Sequence, residues 1–388
     1  MRVLMLATTA PVEPGDGTPG FVIDGAIALG DDHDVTVVVP QTGDAPRRRE
    51  LGQVTVLRFP YLPRRWRRLG GDAIVPQLRR SSLRWLEAAV MSLGMVVAAV
   101  RVHRSVRPDV VHAHWLLPGG VAALVLHRLF GTPYVVTAHG ADAYALNTRP
   151  LVLLKRLVVA NAARFVAVSG DILDRFADVT ERGVVQPAGV DVARWERLVG
   201  ERRPVAGRVV LVGRLERKKG ARVAIDAVAA LPDAELWLVG DGPERRALEE
   251  QVAVAGVTDR IRFLGRLPQD RVAEVLRTAA CAIIPSIVAE GGDMDGTPSV
   301  LGEAIAGGVP VVASDLAGLA ELLVHGRSGL LVPPGDAVAL RAAVVSVLAD
   351  PTRAATMAEE ARAVLDVLDL DRAAGRHRGW YAEAAADG

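Results

Sequence analysis

Cysteine is almost missing from this chain: Cys281 is its sole example. That excludes an internal disulfide and a cysteine-built zinc cage, and it fits a reducing compartment. Cys281 lies in the apolar run Ala279-Ala280-Cys281-Ala282-Ile283-Ile284, where it is expected to be a small buried hydrophobe. Aromatic residues are scarce, at 4%, in a sequence that is 50% hydrophobic. Ala, Val and Leu therefore carry the packing, which suits helices laid closely on a sheet. No basic segment followed by an apolar one opens the chain, so no secretory leader is read. No uninterrupted apolar run reaches the roughly 18–20 residues of a membrane span. A soluble, cytoplasmic chain is the expectation. There is no G-x-S-x-G elbow, no P-loop and no H-E-x-x-H, which removes the commonest hydrolase, nucleotide-triphosphatase and zinc-protease patterns.

What is present is length and alternation. At 388 residues the chain exceeds one ordinary core, and two domains are the natural division. Short Val/Ile/Leu runs alternate with helical stretches, as in a parallel sheet covered on both faces. The first series of strands is read at Val3–Ala7, Val35–Val39, Val54–Phe59, Val110–His112, Tyr134–Thr137, Phe165–Val168 and Val184–Gln186. After a charged stretch, Glu196–Pro204, taken as a linker, a second series runs Val209–Val212, Glu235–Val239, Ile261–Phe263, Cys281–Ile284, Val309–Val312 and Gly329–Val332. The fold class that follows is α/β, with two Rossmann-like doubly wound domains over residues 1–195 and 205–369. Residues 370–388, with Trp380 and Tyr381, carry a helical pattern. Ligands of such sheets bind beyond the strands' carboxyl ends, and a cleft between the two domains is the default site.

The net charge of +1 conceals an asymmetry. Between Arg47 and Arg107 fourteen arginines face only Glu50, Asp72 and Glu87, a local balance near +11. Arginines alternate with tryptophan at Arg64-Arg65-Trp66-Arg67-Arg68, Arg79-Arg80 and Arg84-Trp85. Leu83, Leu86, Val90, Leu93, Val97 and Val100 then recur at spacings of three and four, an amphipathic helix. Two readings stand side by side. The Arg64–Arg84 region docks on an anionic membrane surface, or it is a solvated basic loop beside a helix whose apolar stripe faces the core. No nucleic-acid partner is expected.

Candidate chemistry clusters at strand ends. Gly15-Asp16-Gly17-Thr18-Pro19-Gly20 spells G-x-G-x-x-G, yet seven residues separate it from the first strand, and no acid follows the second strand to hold a ribose. It fits a phosphate-approaching loop better than a dinucleotide fingerprint, so an NAD-dependent oxidoreductase is only an alternative. Gly213-Arg214-Leu215 leads to Lys218-Lys219-Gly220, where two cations five residues apart can converge on one dianion. Asp293-Met294-Asp295 offers either a D-x-D metal site or loop chemistry. Gly296-Thr297-Pro298 then opens a helix from Pro298 or Ser299, whose free N–H groups bind phosphate without a metal. Glu303, one turn in, can accept hydrogen bonds from a diol such as ribose. His112-Ala113-His114-Trp115 and His139-Gly140-Ala141-Asp142 also lie at strand ends, with His112 and His114 expected to alternate between core and cleft.

Taken together, these landmarks resemble the retaining glycosyltransferases of family 4, which have the GT-B fold of two facing Rossmann-like domains. The resemblance covers nearly the whole length. It rests on Gly213 through Gly220, Leu238-Val239-Gly240-Asp241-Gly242-Pro243, Phe263-Leu264-Gly265, Gly329 through Asp336, and Gln186-Pro187-Ala188-Gly189-Val190-Asp191, with Ala188 where Asn is usual. The family's E-x7-E pattern reads here Asp295-x7-Glu303. The resemblance implies a catalytic set of His139, Arg214, Lys219, Asp295 and Glu303, with Glu303 on the ribose and Asp295 on the donor sugar. It implies a donor-binding set of Gly17, Gly20, Gly213, Arg266, Leu267, Ser299, Val300 and Leu301. His114, Trp115 and Asp142 are the acceptor-side candidates. It implies no metal and no cofactor beyond the nucleotide diphosphate sugar itself. The reaction expected moves a hexose-type sugar, and the basic, amphipathic first half favours a lipid-linked or envelope saccharide as its acceptor. A soluble natural-product acceptor or a non-catalytic binding module is the alternative. The location expected from the absent leader and the basic first half is cytoplasmic, peripheral on the inner membrane face, and the resemblance implies that the 370–388 helix crosses back onto the first domain.

Overall fold

The computed structural model describes residues 1–12, 20–69, 74, 77, 78 and 81–387. The Gly15–Gly20 loop, apart from Gly20, lies outside the described residues, so Gly17 does too, as do Arg79 and Arg80. The chain divides into two units. One comprises Met1–Pro187 with Leu370–Gly388, the other Ala188–Asp369.

The first unit holds β1 (Arg2–Leu6), β2 (Asp34–Pro40), β3 (Arg48–Leu51), β4 (Val54–Phe59), β5 (Val110–His114), β6 (Tyr134–Ala138), β7 (Arg164–Ala167) and β8 (Gly183–Val185). They form one sheet in the order β3-β4-β2-β1-β5-β6-β7-β8. All neighbours run parallel except β3, which pairs antiparallel with β4 in the register Arg48↔Leu57 to Leu51↔Val54. No hydrophobic run announced β3, because Arg48-Arg49-Glu50-Leu51 is a polar edge strand. Its charged side chains keep an open sheet edge from pairing with another chain.

The second unit holds β9 (Arg208–Val212), β10 (Glu235–Val239), β11 (Ile261–Gly265), β12 (Cys281–Ile284), β13 (Val311–Ser314) and β14 (Leu330–Val332), in the order β11-β10-β9-β12-β13-β14, all parallel. Buried residues from both faces of this sheet build two clusters, one around Leu236, Leu238 and Ile283, the other around Ile284, Leu301 and Ile305. Cys281 is fully buried, and burial pushes its thiol up to about 12.

The stretch read as a linker is not one. Glu196 belongs to the Val192–Val199 helix, which buries Trp195 and Val199 in the second unit's core. Arg202 then donates to the carbonyls of Gly308 and Ala279. The chain therefore changes unit near Pro187, not after residue 195. The Leu370–Asp387 helix returns to the first unit, packs on the Phe21–Ala28 helix and buries Tyr381 in that core.

The apolar stripe of the Ser82–Val106 helix also departs from the core-facing reading. Glu87, Met91, Met95, Ala99 and His103, spaced by four, are the buried residues. Leu83, Trp85, Leu86, Leu93 and Val97 are exposed. An 18-residue window of this helix has the length and mean hydropathy, 1.6, of a membrane span, interrupted charge notwithstanding. Runs without any polar residue had missed it.

Candidate active site

In the first unit the carboxyl ends of β5 and β6 carry a column of histidines. Residues two apart on a strand share a face, so His112 and His114 lie on the same side, ring centroids 4.2 Å apart. They do not split between core and cleft. His112 is tied down by Thr137 Oγ1, 2.8 Å from its Nε2, and by Tyr381 Oη, 2.6 Å from its Nδ1. His377, from the Leu370–Asp387 helix, extends the column 5.2 Å away. At the other end His114 Nδ1 meets His139 Nε2 at 3.0 Å. Burial drives all four rings to the neutral form: His139 falls to about 3, His377 to about 4, and His112 and His114 are held well below the usual imidazole range.

His139 ends the column just past β6. Phe21 and Trp115 flank it, each with a centroid 4.9 Å away. Phe21 begins the helix after Gly20, and no motif singled it out. Asp142 does not present its carboxylate to an acceptor. Its two oxygens accept the backbone N–H groups of His139 (3.0 Å) and Leu116 (2.8 Å). It joins the two strand-end loops and sets His139. Burial raises its carboxyl, and those amide bonds work against the rise. His114 is likewise buried, a partner of His139 and not a surface contact. Trp115 is half-buried and held at φ +68°, ψ 135°, a conformation a large L-residue adopts only when its surroundings over-determine it. Its N–H donates to Thr137 O at 2.8 Å, and Leu116 is pinned by Asp142.

In the second unit the ends of β9, β10 and β11 meet at glycines. Gly240 has φ +129°, and a Cβ there would stand 1.9 Å from Gly213 O. Gly220 closes the turn after Lys219, and a Cβ there would stand 1.7 Å from Pro285 O. Backbone contact this close brings the Arg214–Lys219 loop against the segment that follows β12.

The contact assembles a charged cluster. Lys219 Nζ lies 2.9 Å from Asp295 Oδ2, and Ser286 Oγ donates to that same oxygen at 3.0 Å. Lys218 Nζ lies 3.3 Å from Asp293 Oδ1 and 3.7 Å from Asp295 Oδ1. Asp293 is thus a buried ion-pair partner, and Lys218 and Ser286 are site residues the motif reading passed over. Both sit beside the expected ones, Lys218 before Lys219 and Ser286 just past β12. Burial alone would raise the Asp295 carboxyl, but Lys219, Lys218 and Ser286 outweigh it and hold it below the usual range. Burial lowers Lys218, and Asp295, Asp293 and Glu216 more than compensate. Glu303 behaves oppositely: burial pushes it up to about 7, with Lys219 only partly offsetting. Lys219 is therefore the cation that both Asp295 and Glu303 feel. Arg214 is partly buried, its Nε 2.9 Å from Glu216 Oε1.

The Ser299–Ala306 helix begins one residue later than a proline start implies: Pro298 is its N-cap, and no side chain caps it. Ser299 is exposed, Val300 half-buried and Leu301 buried. The N–H of Leu301 donates to Pro298 O at 3.0 Å, and those of Ser299 and Val300 in this first turn are available to an anion. Of the remaining candidates, Arg266 is exposed just past β11, and Leu267 packs against the core. Among the described residues no group of three or more His, Cys, Asp and Glu is disposed to hold a metal ion. Asp293 and Asp295, the D-x-D alternative, are engaged by lysines.

The family models for Glycosyltransferase Family 4 and for Glycosyl transferases group 1 match residues 21–194 and 206–350. A 2-deoxystreptamine glucosyltransferase of Streptomyces kanamyceticus is 31% identical over 351 residues, spanning 78% of this chain and 87% of its own. Among solved structures, sucrose-phosphate synthase from Thermosynechococcus elongatus superposes with TM-score 0.79 at 21% identity, covering 100% of both chains. Anabaena HepE in complex with UDP-glucose does so with TM-score 0.72 at 20% identity, also covering 100% of both. With two Rossmann-like units of this topology and matches along both halves, the chain belongs to the GT-B glycosyltransferases of family 4.

Proposed function

We propose that this glycosyltransferase takes its sugar, a hexose, from a nucleoside diphosphate donor and transfers it with retention of anomeric configuration. The observation that carries the reading is the convergence on Lys219. One cation lies 2.9 Å from Asp295 and within electrostatic reach of Glu303, beside a helix terminus with no side-chain cap.

The chemistry follows from where charge develops. The bond between the anomeric carbon and the diphosphate oxygen breaks, and the diphosphate keeps the electron pair. Lys219, Arg214 and the N–H groups of Ser299 and Val300 stabilise that charge, the kind of fixed dipole and charge that is worth most in a poorly hydrated site. The acceptor hydroxyl bonds to the anomeric carbon on the face the diphosphate leaves. Its proton passes to the departing phosphate oxygen, so no protein nucleophile is used. Glu303 receives the ribose hydroxyls. Asp295 keeps Lys219 aimed and receives hydroxyls of the donor sugar. His139, neutral and oriented by Asp142 and His114, positions a sugar hydroxyl and does not act as a base. The two lysines at Asp293 and Asp295 supply the positive charge a divalent ion would bring, so this reading takes no metal.

We assign the acceptor to a lipid-linked or envelope saccharide, and the enzyme's work to the cytoplasmic face of a membrane. A soluble natural-product acceptor is the second reading, favoured by the likeness to the 2-deoxystreptamine glucosyltransferase. A thermal-shift and donor-hydrolysis panel of UDP-, GDP- and ADP-sugars against NADH, with and without EDTA, tests the donor half. Stabilisation and hydrolysis with one nucleotide sugar, unchanged by EDTA, is expected. Stabilisation by NADH alone, or activity abolished by EDTA and restored by Mn²⁺, refutes it.

A further inference from the structure

The exposed face of the Ser82–Val106 helix is the least expected surface of the first unit. Leu83, Leu86 and Leu93 are 68%, 63% and 65% exposed, with Trp85 and Val97 beside them. At about 100° per residue these five lie within an arc of roughly 160°, along about 21 Å of helix. Single exposed hydrophobes need no explanation, but a contiguous stripe does.

A charged border accompanies the stripe. Arg64, Arg65 and Arg68, with Pro63, line an open depression of the surface, and Trp66 among them is 58% exposed. Arg101 and Arg104 continue the same helix face at its far end, both exposed. Two acids nearby are accounted for among the described residues. Glu87 is buried, and Asp44 is paired with Arg64 at 2.5 Å.

Glu87 also locks the two parts together. Its Oε1 accepts the backbone N–H groups of Arg68 (2.5 Å) and Leu69 (2.9 Å) and the hydroxyl of Tyr61 (3.2 Å). Its Oε2 accepts from Arg84 at 2.5 Å. One buried carboxylate thus fixes the arginine-rich turn against the start of the apolar helix.

We infer that this face docks on an anionic lipid bilayer, with the helix lying in the plane of the interface. Leu83, Trp85, Leu86, Leu93 and Val97 enter the headgroup–acyl boundary while Arg64, Arg65, Arg68, Arg101 and Arg104 meet lipid phosphates. An apolar face bordered by arginines is the composition such interfacial helices use. A second copy of this chain fits poorly, because a two-fold interface would set one arginine border against another. Spanning fits poorly too. The inward side of the helix packs on β1, β2, β4 and the Val121–Phe130 helix, and crossing a membrane would strip Glu87 and His103 of those surroundings. The inference stands apart from the donor assignment.

Co-sedimentation of the full chain with phosphatidylglycerol and phosphatidylcholine vesicles at 50 and 500 mM NaCl tests it. Binding to phosphatidylglycerol alone, weakened by salt, is expected. Leu86→Glu with Leu93→Glu lowers the partition coefficient about tenfold or more, since charge replaces inserted side chains. Arg65→Ala with Arg68→Ala lowers it roughly 25-fold, about fivefold per arginine. Both variants keep the wild-type melting temperature, because the replaced side chains are exposed, and nucleotide-sugar hydrolysis serves as a separate readout. Absence of binding to either vesicle, or binding unchanged in both variants, overturns the inference. So does a dimer, seen by light scattering without lipid, that Leu86→Glu with Leu93→Glu dissolves.

Discussion

Glu303 carries a prediction with two opposite readouts. Burial takes its carboxyl from an ordinary 4.5 to about 7, which corresponds to a penalty of at most about 3 kcal/mol on the ionised form. A folded value above the unfolded one means that the contribution to stability is complete below 4.5 and is lost as pH rises through about 7. The unliganded protein therefore loses stability from this group between about pH 4.5 and 7 and no further above it. Glu303→Gln removes the loss, so at pH 8 the variant melts several degrees above wild type, while at pH 4, below the unfolded value, the two coincide. Donor binding runs the other way. Only the carboxylate accepts from both ribose hydroxyls, so affinity for UDP-glucose, or whichever nucleotide sugar binds, rises about tenfold between pH 6 and pH 8 and then levels, as expected for a group titrating near 7. Titration calorimetry in two buffers of different ionisation enthalpy reads the accompanying release of close to one proton at pH 6. Glu303→Gln binds more weakly at pH 8 and shows neither the pH slope nor the proton. A wild-type affinity flat across this range, or an unchanged slope in Glu303→Gln, refutes the assignment of Glu303 to the ribose.

Other outcomes follow from the same structure. Lys219→Ala lowers kcat by about 10²-fold or more, the scale of losing a preorganised charge stabiliser, and near-normal turnover would remove Lys219 from the leaving group. Glu87→Ala leaves two backbone N–H groups and Arg84 without their acceptor and destabilises the first unit by about 3 kcal/mol, read as a lowered melting temperature. Glu87→Gln, which keeps an acceptor oxygen, costs less than half as much, and equal losses in the two would contradict this account. Gly240→Ala, with its Cβ 1.9 Å from Gly213 O, costs about 3 kcal/mol or more and lowers soluble yield, whereas Gly256→Ala, with φ +69° but open space around it, costs about 1 kcal/mol.

The amino-acid order alone determined the alternation of strands and helices, and through it the two Rossmann-like units, because strands buried on both faces read as short unbroken apolar runs. It also marked the ordered set of glycine turns and the Asp295-x7-Glu303 spacing, since turn geometry and helix entry are local. The polar edge strand β3 escaped it, as a strand with no core face has no apolar pattern. So did the outward aim of Leu83, Leu86 and Leu93: periodicity reveals that a helix has a stripe, not which stripe meets the sheet, and here the inward one is led by Glu87. Lys218 against Asp293, and His114 against His139, join residues 75 and 25 positions apart. Only the folded chain brings such groups within reach, and only there do Lys219, Lys218 and Ser286 pull the Asp295 carboxyl down while burial pushes that of Glu303 up.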